Sequence, residues 1–521
     1  MMCRDVVLKM FLTCLVTIRL LLSSACLFTR CIIVFLIQRM GLAADKISAS
    51  RRSLAAADLK PCLSTAKART AYPGSQEYEN ARIVFQLRNR YAPAAFVFPT
   101  TVAQVQNAIA CSIKAGVGIA PRGGGHSFED YSLGGRDGVL VVDMAGFTGF
   151  SYDRTTQTAV VGAGWRLGPL YLALWNAGKV TIPAGNCVSV GIAGHALGGG
   201  WGFSSRKFGL VADNILEAQV VLANGTVVTA NKSKNPDLYF ALRGAGANSF
   251  GIVTQFKFQV HDVSFPVTHF KYTWTTKSQQ FQNFKAFQTW GVNVPAEISA
   301  SFYLDPFGNS NIEGTYLGPK SKLAPLLTTF LQNAARPAST SVEELNWIQL
   351  ILVNAGKPSN TDPNYLKLQG FQLPTNTFKA KSIFVNAPGL SDAGVNAMIK
   401  AMNGGPTQKA YFLYDLFGKQ SAINQVPRSA TSFVHRSSLF TIQAVAYWGN
   451  NAGEAAGDTA YINNYYQSVR PYATSEAYQN YIDRDMPLSA YYGSNLGALI
   501  TDKKKWDPKN VFNFPQSIPL K

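Results

Sequence analysis

Seven of the eighteen residues from Gly185 to Gly202 are glycine. No ordinary helix or strand tolerates that density, because each interior glycine costs roughly 0.5–1 kcal/mol in backbone entropy. A tight wrap around a ligand offsets such a cost; a plain loop does not. A second glycine cluster, Arg122-Gly123-Gly124-Gly125-His126-Ser127, places His126 61 residues before Cys187. Consecutive glycines permit positive φ and close backbone approach, and their N–H groups can turn inward to cradle a diphosphate. Neither segment ends in Gly-Lys-Ser/Thr, so a nucleotide P-loop is excluded. Neither gives Gly-x-Gly-x-x-Gly between strand and helix, which makes a nicotinamide-binding reading poor.

The rest of the composition narrows the class. At 521 residues, two or three folding units are expected. Apolar residues at 47%, charged ones at 15% and 44 glycines describe a turn-rich globular chain rather than a disordered one. The formal charge is +19, of which residues 1–60 contribute nine Lys/Arg against three Asp/Glu. The remainder is spread out, with Lys503, Lys504 and Lys505 the only tight run, so no nucleic-acid stripe is expected. No metal enters the expectation either.

Residues 6–38 are strongly apolar but interrupted by Lys9, Arg19 and Arg30, and the longest charge-free run is the ten residues Leu20–Thr29. A spanning helix needs about 20. A signal-peptide core fits better; a membrane anchor with snorkelling arginines and an upstream extension before Met40 stay open. Four of the seven cysteines lie in this stretch, which leaves Cys62, Cys111 and Cys187: one pair and one thiol over. Taken alone, Cys187 reads as a buried free thiol. Asn224-Gly225-Thr226 and Asn231-Lys232-Ser233 are glycosylation sequons if the chain is exported.

Along the chain, Phe96–Pro99 reads as extended, Thr101 caps a helix carrying Val102, Val105, Ile109 and Ile113, and Val139–Val142 and Ala159–Val161 read as buried strands. Ala218–Leu222, the Asn224-Gly225 turn and Val227-Val228 read as a further βα alternation, closed by a strand at 251–258. Beyond Val260, strands are expected at 268–274, 300–304 and 411–417, and helices at 278–290, 321–335 and 391–402, which makes a second, α+β unit.

The two glycine segments, then Leu242-Arg243-Gly244-Ala245-Gly246 and Phe250-Gly251-Ile252-Val253, resemble the berberine bridge enzyme-like family. That family is one of the vanillyl-alcohol oxidase type of FAD-linked oxidoreductases. The likeness returns in Asn480-Tyr481-Ile482-Asp483, Tyr491-Tyr492-Gly493 and Phe512-Asn513-Phe514-Pro515-Gln516, and is nearest to the fungal gluco- and chito-oligosaccharide oxidases. It implies an α+β, PCMH-type FAD-binding fold. Its parts would be a leader, anchor or extension at 1–55, the FAD domain at 56–262, a substrate domain at 263–475, and a C-terminal segment, 476–521, completing the FAD domain.

The resemblance also implies roles. FAD would be held covalently twice, by His126 at the flavin 8α-methyl and by Cys187 at C6, with Cys62 paired to Cys111. A thiolate is a good nucleophile for an electron-poor ring. Arg122, Gly123, Gly124, Gly125, Ser127, Gly191, Gly194, Gly198, Ile252, Val253 and Asn513 would surround the cofactor, and His195 would shape its loop. Tyr481 would be the base, assisted by Asp415, and Gln443 would bind substrate. Many relatives carry tyrosine at two places where this chain has Phe128 and Trp201; Trp201 cannot be a base, so both departures favour Tyr481. Val190 matches the site that gates oxygen, and valine there goes with oxidases.

The expected reaction is hydride removal from an alcohol carbon, the C1 hydroxyl of a reducing oligosaccharide, to give lactone, with O2 reduced to H2O2. A secondary-metabolite-tailoring oxidase or dehydrogenase on the same scaffold, and a protein that retains flavin without turnover, are the alternatives. Secretion is expected, with anchoring open.

Overall fold

The computed structural model describes residues 59–65, 67–405, 409–449 and 452–521. The expected leader at 1–55 and Cys3, Cys14, Cys26 and Cys31 lie outside them. Residues 61–521 form one unit built on three main sheets.

The first sheet holds β1 (Arg69–Ala71), β2 (Ala95–Phe98), β3 (Ile119–Arg122) and β4 (Leu140–Asp143) in the order β1-β2-β4-β3. β2, β4 and β3 run parallel, and β4, between the other two, is buried along its whole length, with Leu140, Val141 and Val142 apolar and Asp143 at its end. The crossover from β2 to β3 is the helix Val102–Lys114, whose first turn is capped by Thr101 accepting the Gln104 N–H. Cys111 on this helix is disulfide-bonded to Cys62.

The second sheet is antiparallel. It comprises β5 (Phe150–Asp153), β6 (Thr158–Gly162), β8 (Ile215–Val221), β9 (Val227–Asn231) and β10 (Ile252–Gln259), in the order β5-β6-β10-β8-β9. The short β7 (Val180–Thr181) pairs with β11 (His261–Asp262). The βα alternation expected across 218–228 is instead a hairpin: β8 and β9 pair antiparallel about Asn224-Gly225, with Gly225 at φ +80°. So short a connection cannot return a strand in parallel. Asn224 is exposed in that turn, whereas Asn231 Nδ2 is engaged by Glu217.

The third sheet has seven antiparallel strands in the order β15-β12-β14-β13-β17-β18-β16. They are β12 (Val267–Trp274), β13 (Ile298–Leu304), β14 (Ser310–Tyr316), β15 (Ser339–Leu345), β16 (Thr377–Asn386), β17 (Ala410–Leu416) and β18 (Ser438–Trp448). Helices Gln280–Gly291, Ala324–Asn333 and Asp392–Asn403 fall where the sequence pattern puts them. β14, β15, β16 and β18 are not evident in that pattern. β15 is an exposed, polar edge, and β18 is buried almost throughout, so neither alternates. β16 hides two lysines, Lys379 and Lys381, on an inward face.

The C-terminal chain returns to the first two sheets. Gln516 accepts from Tyr131 Oη (2.8 Å), and buried Lys503 donates to the Ser249 carbonyl (2.6 Å). Among the described residues no helix is long and apolar enough to cross a membrane.

The Cys62–Cys111 bridge closes a loop of 49 residues. Replacing both cysteines by serine is expected to lower unfolding stability by about 2–4 kcal/mol, read as a lower denaturant midpoint at unchanged slope.

Candidate active site

The two glycine segments cross. A Cβ on Gly124 would lie 2.2 Å from the Gly191 nitrogen, and one on Gly191 would lie 2.1 Å from the Gly124 nitrogen. No side chain fits at either place. The segment 185–202, which contrary to its glycine density includes a short helix at Ile192–Leu197, is closed on itself as well. His195 Nε2 accepts the Gly185 N–H (2.9 Å), and Tyr478 Oη accepts the N–H groups of Gly200 (2.9 Å) and Trp201 (3.2 Å). Burial holds the His195 ring at a pKa of about 4, so it is a neutral acceptor. Gly199 and Gly200 have φ of +117° and +81°.

This crossing brings together His126 and Cys187. Both line a cavity of about 1080 Å³. His126 Nε2 lies 3.0 Å from Ser189 Oγ, and Cys187 Sγ lies 3.5 Å from the same oxygen. Cys187 is the free cysteine among the described residues and is exposed, contrary to what its sequence position alone suggests. Burial, reinforced by the nearby Arg166 guanidinium, lowers the His126 pKa to about 3, so the imidazole is uncharged. Phe85 stacks on it at 4.8 Å between centroids.

The opposite wall of the cavity is the third sheet, and its register sets the side chains. Ser301 on β13 faces Asp415 on β17, which faces Thr441 on β18; one step along, Tyr303 faces Leu413, which faces Gln443. Ser301 Oγ donates to Asp415 Oδ1 (2.7 Å), and Tyr481 Oη donates to Asp415 Oδ2 (2.8 Å). Burial raises the Asp415 pKa to about 6, against the two hydrogen bonds that favour its charge. Burial and then the Asp415 charge push the Tyr481 phenol well above its ordinary value. Gln443 Oε1 accepts from Tyr411 Oη (3.0 Å).

Tyr481 is held from both sides. Three residues before it, Tyr478 grips the glycine loop. Two residues after it, buried Asp483 pairs with Lys379 and Lys381 on β16. Removing one partner of such a buried cluster costs about 3–5 kcal/mol. Phe128 stacks on the Tyr481 ring at 5.8 Å and 13°.

Of the other residues singled out from the sequence, Gly123, Gly124, Gly125, Ser127, Val190, Gly191, Gly194, Val253 and Trp201 line the cavity. Trp201 also donates its indole N–H to the Leu416 carbonyl. Gly198 packs against Asn480, and fully buried Ile252 lies behind the wall. Arg122 is a correction: its guanidinium is turned inward onto Asp143 and the Ala81 carbonyl, with Phe96 beneath it, and it does not line the cavity. Asn513 likewise bonds the Asn510 carbonyl, while its neighbour Phe514 lines the wall. Ser189, Ser301 and Arg166 do not stand out in the sequence, since a single serine or arginine carries no local signal.

The cavity fits a flavin dinucleotide. Ser132 Oγ, both amide atoms of Asn248 and Gln479 Oε1 are buried, line it and lack any partner within the protein. Such orphaned atoms mark a place where a polar ligand belongs. The glycines of the crossing, Gly124 and Gly191, also line the cavity, so a ligand meets backbone there with no side chain between.

A family model described as "FAD binding domain" matches residues 93–231, and another, "Berberine and berberine like", matches residues 477–519. Chitooligosaccharide oxidase of Gibberella zeae is 33% identical over 473 residues, spanning 88% of this chain and 94% of that protein. The chain belongs to the berberine bridge enzyme-like family. It is therefore an FAD-linked oxidoreductase of the class acting on CH–OH groups, with the PCMH-type α+β fold. The solved structure of Physcomitrella patens BBE-like 1 is 70% identical, covers 89% of this chain and 99% of its own, and superposes with a TM-score of 0.87. Another berberine bridge enzyme-like structure is the glucooligosaccharide oxidase of Acremonium strictum, whose FAD is described as 6-S-cysteinyl, 8α-N1-histidyl. It is 27% identical, covers 88% of this chain and 99% of its own, and has a TM-score of 0.81.

Because the two segments meet backbone to backbone, Gly191→Ala forces them apart. The purified variant is expected to lose most of its flavin absorbance, with a stability loss of about 1–3 kcal/mol from overpacking; visible spectra and thermal unfolding measure both.

Proposed function

We propose that this protein is an oligosaccharide oxidase that carries FAD on both His126 and Cys187, removes hydride from the C1 hydroxyl of a reducing sugar and releases peroxide. The observation that carries the proposal is the Ser301–Asp415–Tyr481 chain, which opens into the same cavity as His126 and Cys187. When bound, the flavin supplies the hydride acceptor and passes the electron pair to dioxygen. Tyr481 Oη receives the proton of the substrate hydroxyl as its own proton moves to Asp415 Oδ2. The phenol is protonated at rest, so the carboxylate is the final acceptor.

The polar sheet face supports a sugar substrate. Tyr303, Asn309, Asn311, Glu313, Lys271 and Gln443 line the cavity, a set of donors and acceptors suited to hydroxyl groups rather than to an apolar alkaloid. The oligosaccharide oxidases among the relatives point the same way. Val190, which lines the cavity and bonds the Cys187 carbonyl, stands at the position that the family resemblance links to oxygen access. The Cys62–Cys111 disulfide supports export to an oxidising compartment.

A peroxide assay over a panel of reducing oligosaccharides tests the function; failure with all of them, in a protein that is yellow, refutes it. Asp415→Asn and Tyr481→Phe are each expected to lower kcat about 10²–10⁴-fold. In the wild type, kcat/KM falls as pH drops through about 6, where Asp415 takes up a proton; Asp415→Asn loses this acid limb.

A further inference from the structure

Ser189 stands two residues after Cys187, is buried, and touches both residues assigned to hold the cofactor: 3.0 Å to His126 Nε2 and 3.5 Å to Cys187 Sγ. Those residues come from different segments, so one oxygen spanning them needs both segments fixed. Arg166 does this, donating from Nη1 to the Ser189 carbonyl and, at 2.9 Å, to the Gly124 carbonyl. The crossing of Gly124 with Gly191 does it again, two residues from His126 and two from Ser189.

We propose that Ser189 is the positioning residue that prepares both flavin attachments, an inference that rests on the bicovalent reading above. Its oxygen accepts the Nε2–H of neutral His126, and its own hydrogen is donated to the Cys187 thiolate. A hydroxyl has one donor and two acceptor sites, so both bonds form at once. The first fixes the tautomer in which Nδ1 holds the free lone pair. The second stabilises the nucleophilic form of the thiol. The low His126 pKa, about 3, agrees with an uncharged ring that can attack.

The chemistry balances. At one centre an N–C bond to the 8α carbon replaces an 8α C–H and the imidazole N–H. At the other an S–C bond to C6 replaces the C6–H and the S–H. Counted from neutral imidazole and thiol, each attachment releases two protons and leaves two electrons on the ring. Dioxygen removes the electrons with two protons as hydrogen peroxide. The Ser189 hydroxyl relays the proton leaving Nε2, giving up its own as it takes this one, and the protons of the attachment end on the peroxide.

Peptide mass analysis of the purified full-length holoprotein, covering the segments around residues 126 and 187, reads the result without any turnover assay. Wild type is expected to carry flavin mass at both. Ser189→Ala is expected to slow double attachment roughly tenfold, as loss of one charge-assisted hydrogen bond predicts. Ser189→Thr is expected to restore it. Ser189→Val, close to threonine in volume but without the hydroxyl, is expected to behave as alanine does, and this pair decides the matter should the alanine variant fail to accumulate. Attachment at the wild-type rate in the valine or alanine variant overturns the proposal and leaves bicovalent attachment standing. Equal loss in threonine and valine overturns it too, in favour of packing. A wild-type protein with flavin at one residue or none overturns both.

Discussion

The close crossing of two backbones at Gly124 and Gly191 is the constraint from which the rest of the site follows. Each nitrogen occupies the space where the other residue's Cβ would stand. A 67-residue span of chain therefore has its ends locked together, and the lock is steric rather than adhesive: it does not attract the segments, it merely allows them to touch. What attracts them is Arg166, with one nitrogen reaching a carbonyl in each. The conformational cost of so many glycines is met only because their absence of side chains is used. His126 and Cys187, which sequence places far apart, thereby share a single hydroxyl.

The facing wall depends on a different device. Antiparallel register carries a chemical group straight across strands, so Ser301 and Asp415 meet because their residues are paired, not because their loops are long. Tyr481 is added from the C-terminal segment, and its aim depends on ties at either side: Tyr478 on the glycine loop and Asp483 on the β16 lysines. The same loop is thus touched by the chain's first chemical motif and by its last. This gives a physical reason for the family resemblance to return in the C-terminal stretch.

What the sequence discloses tracks how local each signal is. Glycine density is local, so both cofactor segments stand out from the order of residues alone. The attachment role assigned to His126 and Cys187 comes from resemblance built on those segments, and so do the roles assigned to Tyr481 and Asp415, which alone look like a packed aromatic and a turn residue. Ser189 and Ser301 stay hidden because a serine says nothing about which partner it will meet. Arg122 misleads for the opposite reason: adjacency to the glycine triplet suggests a phosphate contact, yet its place on β3 turns it toward Asp143 on β4. Strand β16 stays hidden because Lys379 and Lys381 read as a solvent face, whereas Asp483 and Asp485, about a hundred residues on, pair with them.

The ordering of proton affinities at Tyr481 and Asp415 decides what kind of base this site can be. With Asp415 near 6 and Tyr481 pushed above an ordinary phenol, the proton between them resides on Tyr481 at neutral pH. On the proposed mechanism the tyrosine therefore starts as a neutral phenol and works together with Asp415. It can act as a conduit, since gaining a proton on one side and losing one on the other leaves it neutral throughout and avoids placing a buried charge on its oxygen. The charge remains on Asp415 until it is neutralised by the arriving proton. That charge is tolerable in the interior because Ser301 and Tyr481 each give it a hydrogen bond, and it remains basic because burial outweighs those two bonds. On the proposed mechanism Ser301, whose hydrogen bond lowers the proton affinity of Asp415, tunes the base without holding the moving proton.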